Sequence, residues 1–159
     1  MYIWFLKEEK MSLQKEVMNK LKEAMKSKDT VALTALRALK SAFLLAKTES
    51  GVKEELTEEQ EVKIIQKQVK QRKYSAAIFL KQNREDLASP ELAEAEVLSQ
   101  FLPEALSEEA IGIIVSEVIA SVGAEGMKDM GKVMGIVSQK IGGQADGKTI
   151  STIVRSKLV

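Results

Sequence analysis

A chain of 159 residues that is 45% hydrophobic and 30% charged, with two prolines and nine glycines, can bury about 68–70% of its unfolded surface, which excludes disordered, collagen-like and disulfide-scaffold classes. It has no cysteine and no histidine, so thiolate nucleophiles, disulfides, Cys/His zinc sites and an imidazole general base are excluded. The formal net charge of +1 provides no whole-molecule field for a nucleic acid or a membrane, so any such signal is local.

Residues 1–10 read as an extension. Tyr2, Trp4 and Phe5 crowd together, and the apolar run to Leu6 is shorter than the roughly 7–15 residues of a signal-peptide core and meets Lys7-Glu8-Glu9-Lys10 at once. Two origins are open: an upstream ribosome-binding region translated from a misplaced start, with Met11 the true initiator, or a genuine apolar arm packing on a neighbouring helix. No stretch approaches the roughly 20 apolar residues of a membrane span. The cytoplasm is the expected location, with no membrane partner.

The first predicted helix runs from Ser12 to Lys26 with a stripe of Leu13, Val17, Leu21 and Met25. Asp29 caps a second, from Thr30 to Thr48, which turns Leu36, Leu39 and Phe43 inward beside Ala32 and Ala35 and ends at Ser50-Gly51. Thr57-Glu58-Glu59-Gln60 has the form of a capping box and opens a long third helix to about Asn83. Ser89-Pro90-Glu91 is expected to open a fourth, with serine at the cap and proline at the first helical position, ending at Pro103.

Leu102-Pro103-Glu104 marks the expected domain boundary, dividing residues 11–103 from 104–159, and Ser107 caps the fifth helix. The β-branched run Ile111 to Val115 suits a strand by composition, but Glu108, Glu109, Ser116 and Glu117 restore a helical period around it. Gly123 to Gly126 is a loop, Asp129 to Ile141 a sixth helix with a C-cap at Gly142-Gly143, and Asp146 caps a seventh reaching Leu158, with Ile150, Ile153 and Val154 inward. The expected fold is all-α: an N-terminal four-helix bundle followed by a C-terminal three-helix bundle.

Two regions carry chemistry. In the third helix Lys63, Lys67, Lys70, Arg72, Lys73, Lys81 and Arg84 fall in a window without Asp or Glu. At 100° per residue Lys63, Lys67, Lys70 and Lys81 lie within about 60° of one another, opposite Ile65, Val69, Ala76 and Phe79. Such a ridge suits a phosphate backbone, and it also suits an ordinary solvated face paired with the acidic entry at Glu54 to Glu59. Arg72 projects among the apolar residues and requires a carboxylate, from Glu91 or Glu94. Arg37 and Lys40 pose a milder version of that problem.

The second region is Met130 to Lys148. Gly131 and Gly135 stand inside a helix, where each costs about 1 kcal/mol relative to alanine, and close approach by another helix or by a ligand would offset that cost. From Met127 onward Lys128, Lys132, Lys140, Lys148, Arg155 and Lys157 outnumber Asp129 and Asp146, whereas Leu102 to Gly126 holds five glutamates and no basic residue. Lys148 follows the Asp146 cap, where helix N–H groups favour an anion. Gly142, Gly147, Lys148 and Thr149 have P-loop spacing, but no strand precedes them, so a nucleotide loop is rejected.

The run Met130-Gly131-Lys132-Val133-Met134-Gly135, the spaced Lys140, and Gly143-Gln144-Ala145-Asp146-Gly147-Lys148 resemble the GatB/YqeY family in its stand-alone YqeY-like form. Phe101-Leu102-Pro103 resembles the family's Tyr-Leu-Pro, with phenylalanine for tyrosine. The resemblance covers essentially Met11 to Val159, leaving residues 1–10 outside. It implies a four-helix bundle joined to a three-helix bundle. It also implies kinship with the tail domain of the GatB subunit of the amidotransferase that acts on glutamate misacylated on glutamine tRNA, a domain that contacts tRNA. Carried over residue by residue, it points to Gly131, Lys132, Gly135, Lys140, Gly143, Asp146, Gly147 and Lys148 as a recognition surface, beside the Lys63, Lys67 and Lys70 ridge.

No catalytic residue carries over, and no metal or cofactor is expected. Carbon–nitrogen ligase activity with glutamine as amide donor would come by homology alone. The expected function is a non-catalytic module binding tRNA or a structured RNA. The alternatives are an accessory subunit acting through contacts with a translation-related protein, and a helix-bundle adaptor without nucleic acid.

Overall fold

The computed structural model describes residues 12–49 and 55–159. The expectations for residues 1–10 and for the Ser50-Gly51 helix end lie outside them. Among the described residues the chain is all-helical, with no strand: α1 Leu13–Ser27, α2 Thr30–Glu49, α3 Glu58–Lys81, α4 Glu85–Ser99, α5 Glu108–Val122, α6 Met130–Ile141 and α7 Gly147–Leu158, with 3-10 turns at Met127–Asp129 and Gly142–Gln144. None of these helices is long and apolar enough to cross a membrane.

The caps sit where side-chain chemistry places them. Ser12 accepts from Lys15 N, Asp29 from Ala32 N, Ser107 from Ala110 N and Asp146 from Lys148 N. The capping box at α3 is complete, Thr57 Oγ1 accepting from Gln60 N at 3.2 Å while Gln60 Oε1 accepts from Thr57 N at 2.9 Å. Each arrangement satisfies N–H groups that have no partner within their own helix.

Two expectations are corrected. The stripe of α1 ends on Ala24, which is buried, whereas Met25 is 52% exposed. Steps of four overshoot the 3.6-residue turn by about 40° each, so by the third step the stripe has rotated off the core and Ala24 takes its place. α4 opens at Glu85, and Pro90 lies inside it. The start is set by the end of α3: Asn83 takes a left-handed φ of 56° and Arg84 N–H returns to Phe79 O at 2.9 Å, a tight C-cap that reverses the chain at once. Pro90 forgoes a bond to the Asp86 carbonyl, and both residues are exposed.

Buried side chains form two clusters. One joins α1 to α4 through Val17, Leu21, Leu36, Leu39, Phe43, Ile65, Val69, Leu98 and Phe101. The other joins α5 to α7 through Ile111, Val115, Val118, Val133, Val137, Ile141, Ile150, Val154 and Leu158. α3 and α4 pack most extensively, and the buried Ala76, Ala88 and Ala95 let their backbones approach closely.

Arg72 lies between these two helices. Its Nε donates to Glu94 Oε2 at 3.1 Å and its Nη1 to Gln68 Oε1 at 2.8 Å, with the arginine and glutamate side chains 11% and 17% exposed. Glu94 is thus the carboxylate partner that the sequence left open against Glu91. Arg37 and Lys40 are exposed, which removes the question they raised.

Candidate nucleic-acid interface

The C-terminal glycines divide into three structural roles. Gly142 has φ +59° and ψ −129°, a left-handed conformation that ends α6 and that side chains resist. Gly143 lies against α3 and the interhelical linker: a methyl on it would run into Val62 Cγ1 and come within 3.2 Å of Pro103 Cδ. Its lack of a side chain lets the two halves of the chain meet.

Gly131 and Gly135 are different. Both are exposed, and a methyl on either would meet nothing within 4 Å. Helix packing therefore does not account for them among the described residues. Val133, Val137 and Ile141 turn inward, so the face carrying Gly131, Gly135 and Gln139 looks to solvent, flanked by Lys132. Lys140 sits in the last turn of α6, about 80° around the helix from Lys132 at 100° per residue, where its charge complements the helix dipole.

The segment after α6 is tied in three places. Leu106 N–H donates to Gln144 O at 2.9 Å, Gln66 Nε2 donates to Ala145 O at 3.3 Å, and Asp146 Oδ1 accepts from Lys148 N at 3.0 Å. That last bond places a carboxylate at the start of α7 and occupies the Lys148 amide. An arriving anion would find the Lys148 side chain exposed but this amide already taken.

A cleft of about 700 Å³ lies where the halves meet. Glu58, Glu59, Val62, Lys63 and Gln66 of α3 line it together with Pro103, Ser138, Gln139, Ile141 to Ala145, Gly147 and Ile150. The structure thus brings Lys63, Gly143 and Gly147 to one cleft, and Gln139 joins it to the open glycine face of α6. Lys67 and Lys70 are exposed farther along α3 and do not line it. Lys63 is bonded to Glu59 at 3.0 Å, both side chains being largely exposed.

Two cleft participants escaped the sequence reading, as did one buried carboxylate outside the cleft. Gln66 and Pro103 are cleft residues whose role depends on the meeting of the halves. Glu61 is 3% exposed, and among the described residues its Oε2 has no hydrogen-bond partner. Burial pushes its carboxyl above the usual range, donors from Gln14 and the start of α1 oppose the shift, and repulsion from Glu58 adds to it. Its signal was its place one turn before Ile65 on the apolar stripe.

Comparison with known proteins places this arrangement. Residues 14–158 match the model of a family described as Yqey-like protein. The chain is 34% identical over 128 residues to Altered inheritance of mitochondria protein 41, mitochondrial, of Pyrenophora tritici-repentis, covering 79% of this chain and 68% of that protein. It is 36% identical over 92 residues to the protein of the same name in Clavispora lusitaniae, covering 56% and 52% respectively. Over 73 residues it is 40% identical to a glutamyl-tRNA(Gln) amidotransferase subunit of Thermococcus gammatolerans, 43% of this chain and only 12% of that protein. With nearly its whole helical length matched, the chain belongs to the Yqey-like protein family.

Proposed function

We propose that this protein is a non-catalytic module of the cytoplasm that binds tRNA or another structured RNA through the solvent face of α6 and the start of α7, and that its two cores are bundles of four and three helices divided at Pro103. Lys132, Lys140 and Lys148 contact phosphates, and Gly131 and Gly135 admit the close approach of a ligand backbone. The observation that supports this reading is the open space above Gly131 and Gly135. Two helix-weakening residues stand where the described residues put nothing within 4 Å of an added methyl, beside the exposed Lys132. The similarity to a protein named for glutamyl-tRNA(Gln) favours RNA as the partner class. Ligation chemistry is not part of this reading.

Labelled total tRNA titrated with the full chain at several salt concentrations tests the proposal. Affinity should fall steeply with salt, and Lys132→Ala/Lys140→Ala/Lys148→Ala should weaken binding and flatten that dependence. Gly131→Ala and Gly135→Ala should each stabilise the fold by about 0.5–1 kcal/mol while weakening tRNA binding. Stabilised variants that bind as well as the parent would remove the glycine argument, and salt-insensitive or absent binding would remove the RNA reading.

A further inference from the structure

The solvent face of α3 holds a feature that the C-terminal surface does not absorb. Tyr74 is 70% exposed on the helix side opposite the buried Ile65, Val69 and Ala76. At 100° per residue it shares an arc of about 60° with Lys67, Lys70 and Lys81. A rise of about 1.5 Å per residue puts Lys67 and Lys81 roughly 21 Å apart with the ring midway. These three lysines are exposed, and among the described residues none has an ion-pair partner. The stretch from Val62 to Arg84 contains no acidic residue, and the nearby guanidinium of Arg72 is committed to Glu94 on the other side.

A row of exposed cations complements a polyanion, and a flat exposed ring set among them complements the face of an unpaired base. Stacking and phosphate contact together are how sequence-tolerant single-strand binders gain affinity. An acidic protein segment would satisfy the lysines but would give the ring no stacking partner. We infer that the exposed face of α3 is a single-stranded RNA contact, Tyr74 stacking on a base while Lys67, Lys70 and Lys81 hold the flanking phosphates. The inference takes its partner class from the RNA-binding reading and uses none of the C-terminal residues.

The probe is an unstructured oligonucleotide of about 12 nucleotides, titrated by fluorescence anisotropy into the full-length protein, with polyglutamate of matching charge as the protein-like rival. Tyr74→Ala should weaken oligonucleotide binding about 5- to 150-fold without loss of helix content, Tyr74→Phe should retain affinity, and Tyr74→Trp, made together with Trp4→Phe to remove the native indole, should retain it with indole fluorescence quenched on binding. Lys67→Ala/Lys70→Ala/Lys81→Ala should reduce the salt slope by about 2 for a single strand. Equal binding by Tyr74→Ala, an unquenched Tyr74→Trp, or polyglutamate bound as tightly and with the same Tyr74 dependence would each overturn the inference. Loss of tRNA binding in the Lys132, Lys140 and Lys148 variant together with a silent Tyr74→Ala would overturn this contact alone. Oligonucleotide binding that depends on Tyr74, with tRNA binding indifferent to those three C-terminal lysines, would overturn the C-terminal placement and leave the α3 contact standing.

Discussion

The α1–α4 half and the α5–α7 half solve the same packing problem with different materials. The first mixes leucine, valine and isoleucine with alanine and phenylalanine, and buries with them Glu61 and much of the Arg72–Glu94 pair. The second buries only valine, isoleucine and leucine and keeps its charge outside. A core with polar groups inside depends on each of those groups finding its partner, whereas a purely aliphatic core depends only on shape. The aliphatic half is thereby free to leave glycines and lysines on its surface.

The sharpest way to break that comparison is to hollow each core. Leu98→Ala and Ile141→Ala should each cost about 2–5 kcal/mol. Because no buried side chain belongs to both clusters, residue-resolved native hydrogen exchange should show lost protection on the substituted side only. Protection lost equally on both sides would mean one cooperative unit.

Next in size, Gly143→Ala should cost about 1–3 kcal/mol by forcing Val62 and the Pro103 ring to give. Faster exchange of the Leu106 amide would mark the loosened junction. Arg72→Met should cost about 1–3 kcal/mol in urea denaturation by leaving Glu94 largely buried without its cation. The double change Arg72→Met/Glu94→Leu should recover most of that loss, and no corresponding test exists within the aliphatic core.

The smallest expected effect concerns Glu61. Its folded-state pKa is raised, so its stabilising contribution is fully present below the unfolded pKa and is lost as pH rises through the folded one. Glu61→Gln should therefore melt at a slightly higher temperature near neutral pH and show a flatter dependence just above the ordinary carboxylate range. A melting profile that tracks the parent across that range would show that the carboxyl is not strained by burial.

Much of the helical plan was legible because it is written in local chemistry. Ser12, Asp29, Thr57, Ser107 and Asp146 announce helix starts by what their side chains accept, and Gly142 announces an end by the backbone it permits. Pro90 misled because its preference for a first turn is statistical, while the reversal at Asn83 is set by the chain around it. The candidate site was legible in its glycines and lysines but not in its grouping. Whether Gly143 meets Val62, or Gly131 meets nothing, depends on contacts between segments far apart in sequence. Tyr74 was passed over because helical periodicity shows what a residue faces away from and says nothing of why an aromatic ring is left there.

The bond from Leu106 N–H to Gln144 O also governs where the chain tolerates lengthening. It fastens the linker's exit to the turn before α7, so an insertion between Phe101 and Ser107 would slip that fastening and move α5 relative to the turn. Among the described residues the loop from Gly123 to Gly126 has no such tie to α3, but Glu125 N–H donates to Asp129 Oδ2 at 3.0 Å just before α6. An attachment tag placed there would therefore spare the lysine ridge while crowding the glycine face at Gly131.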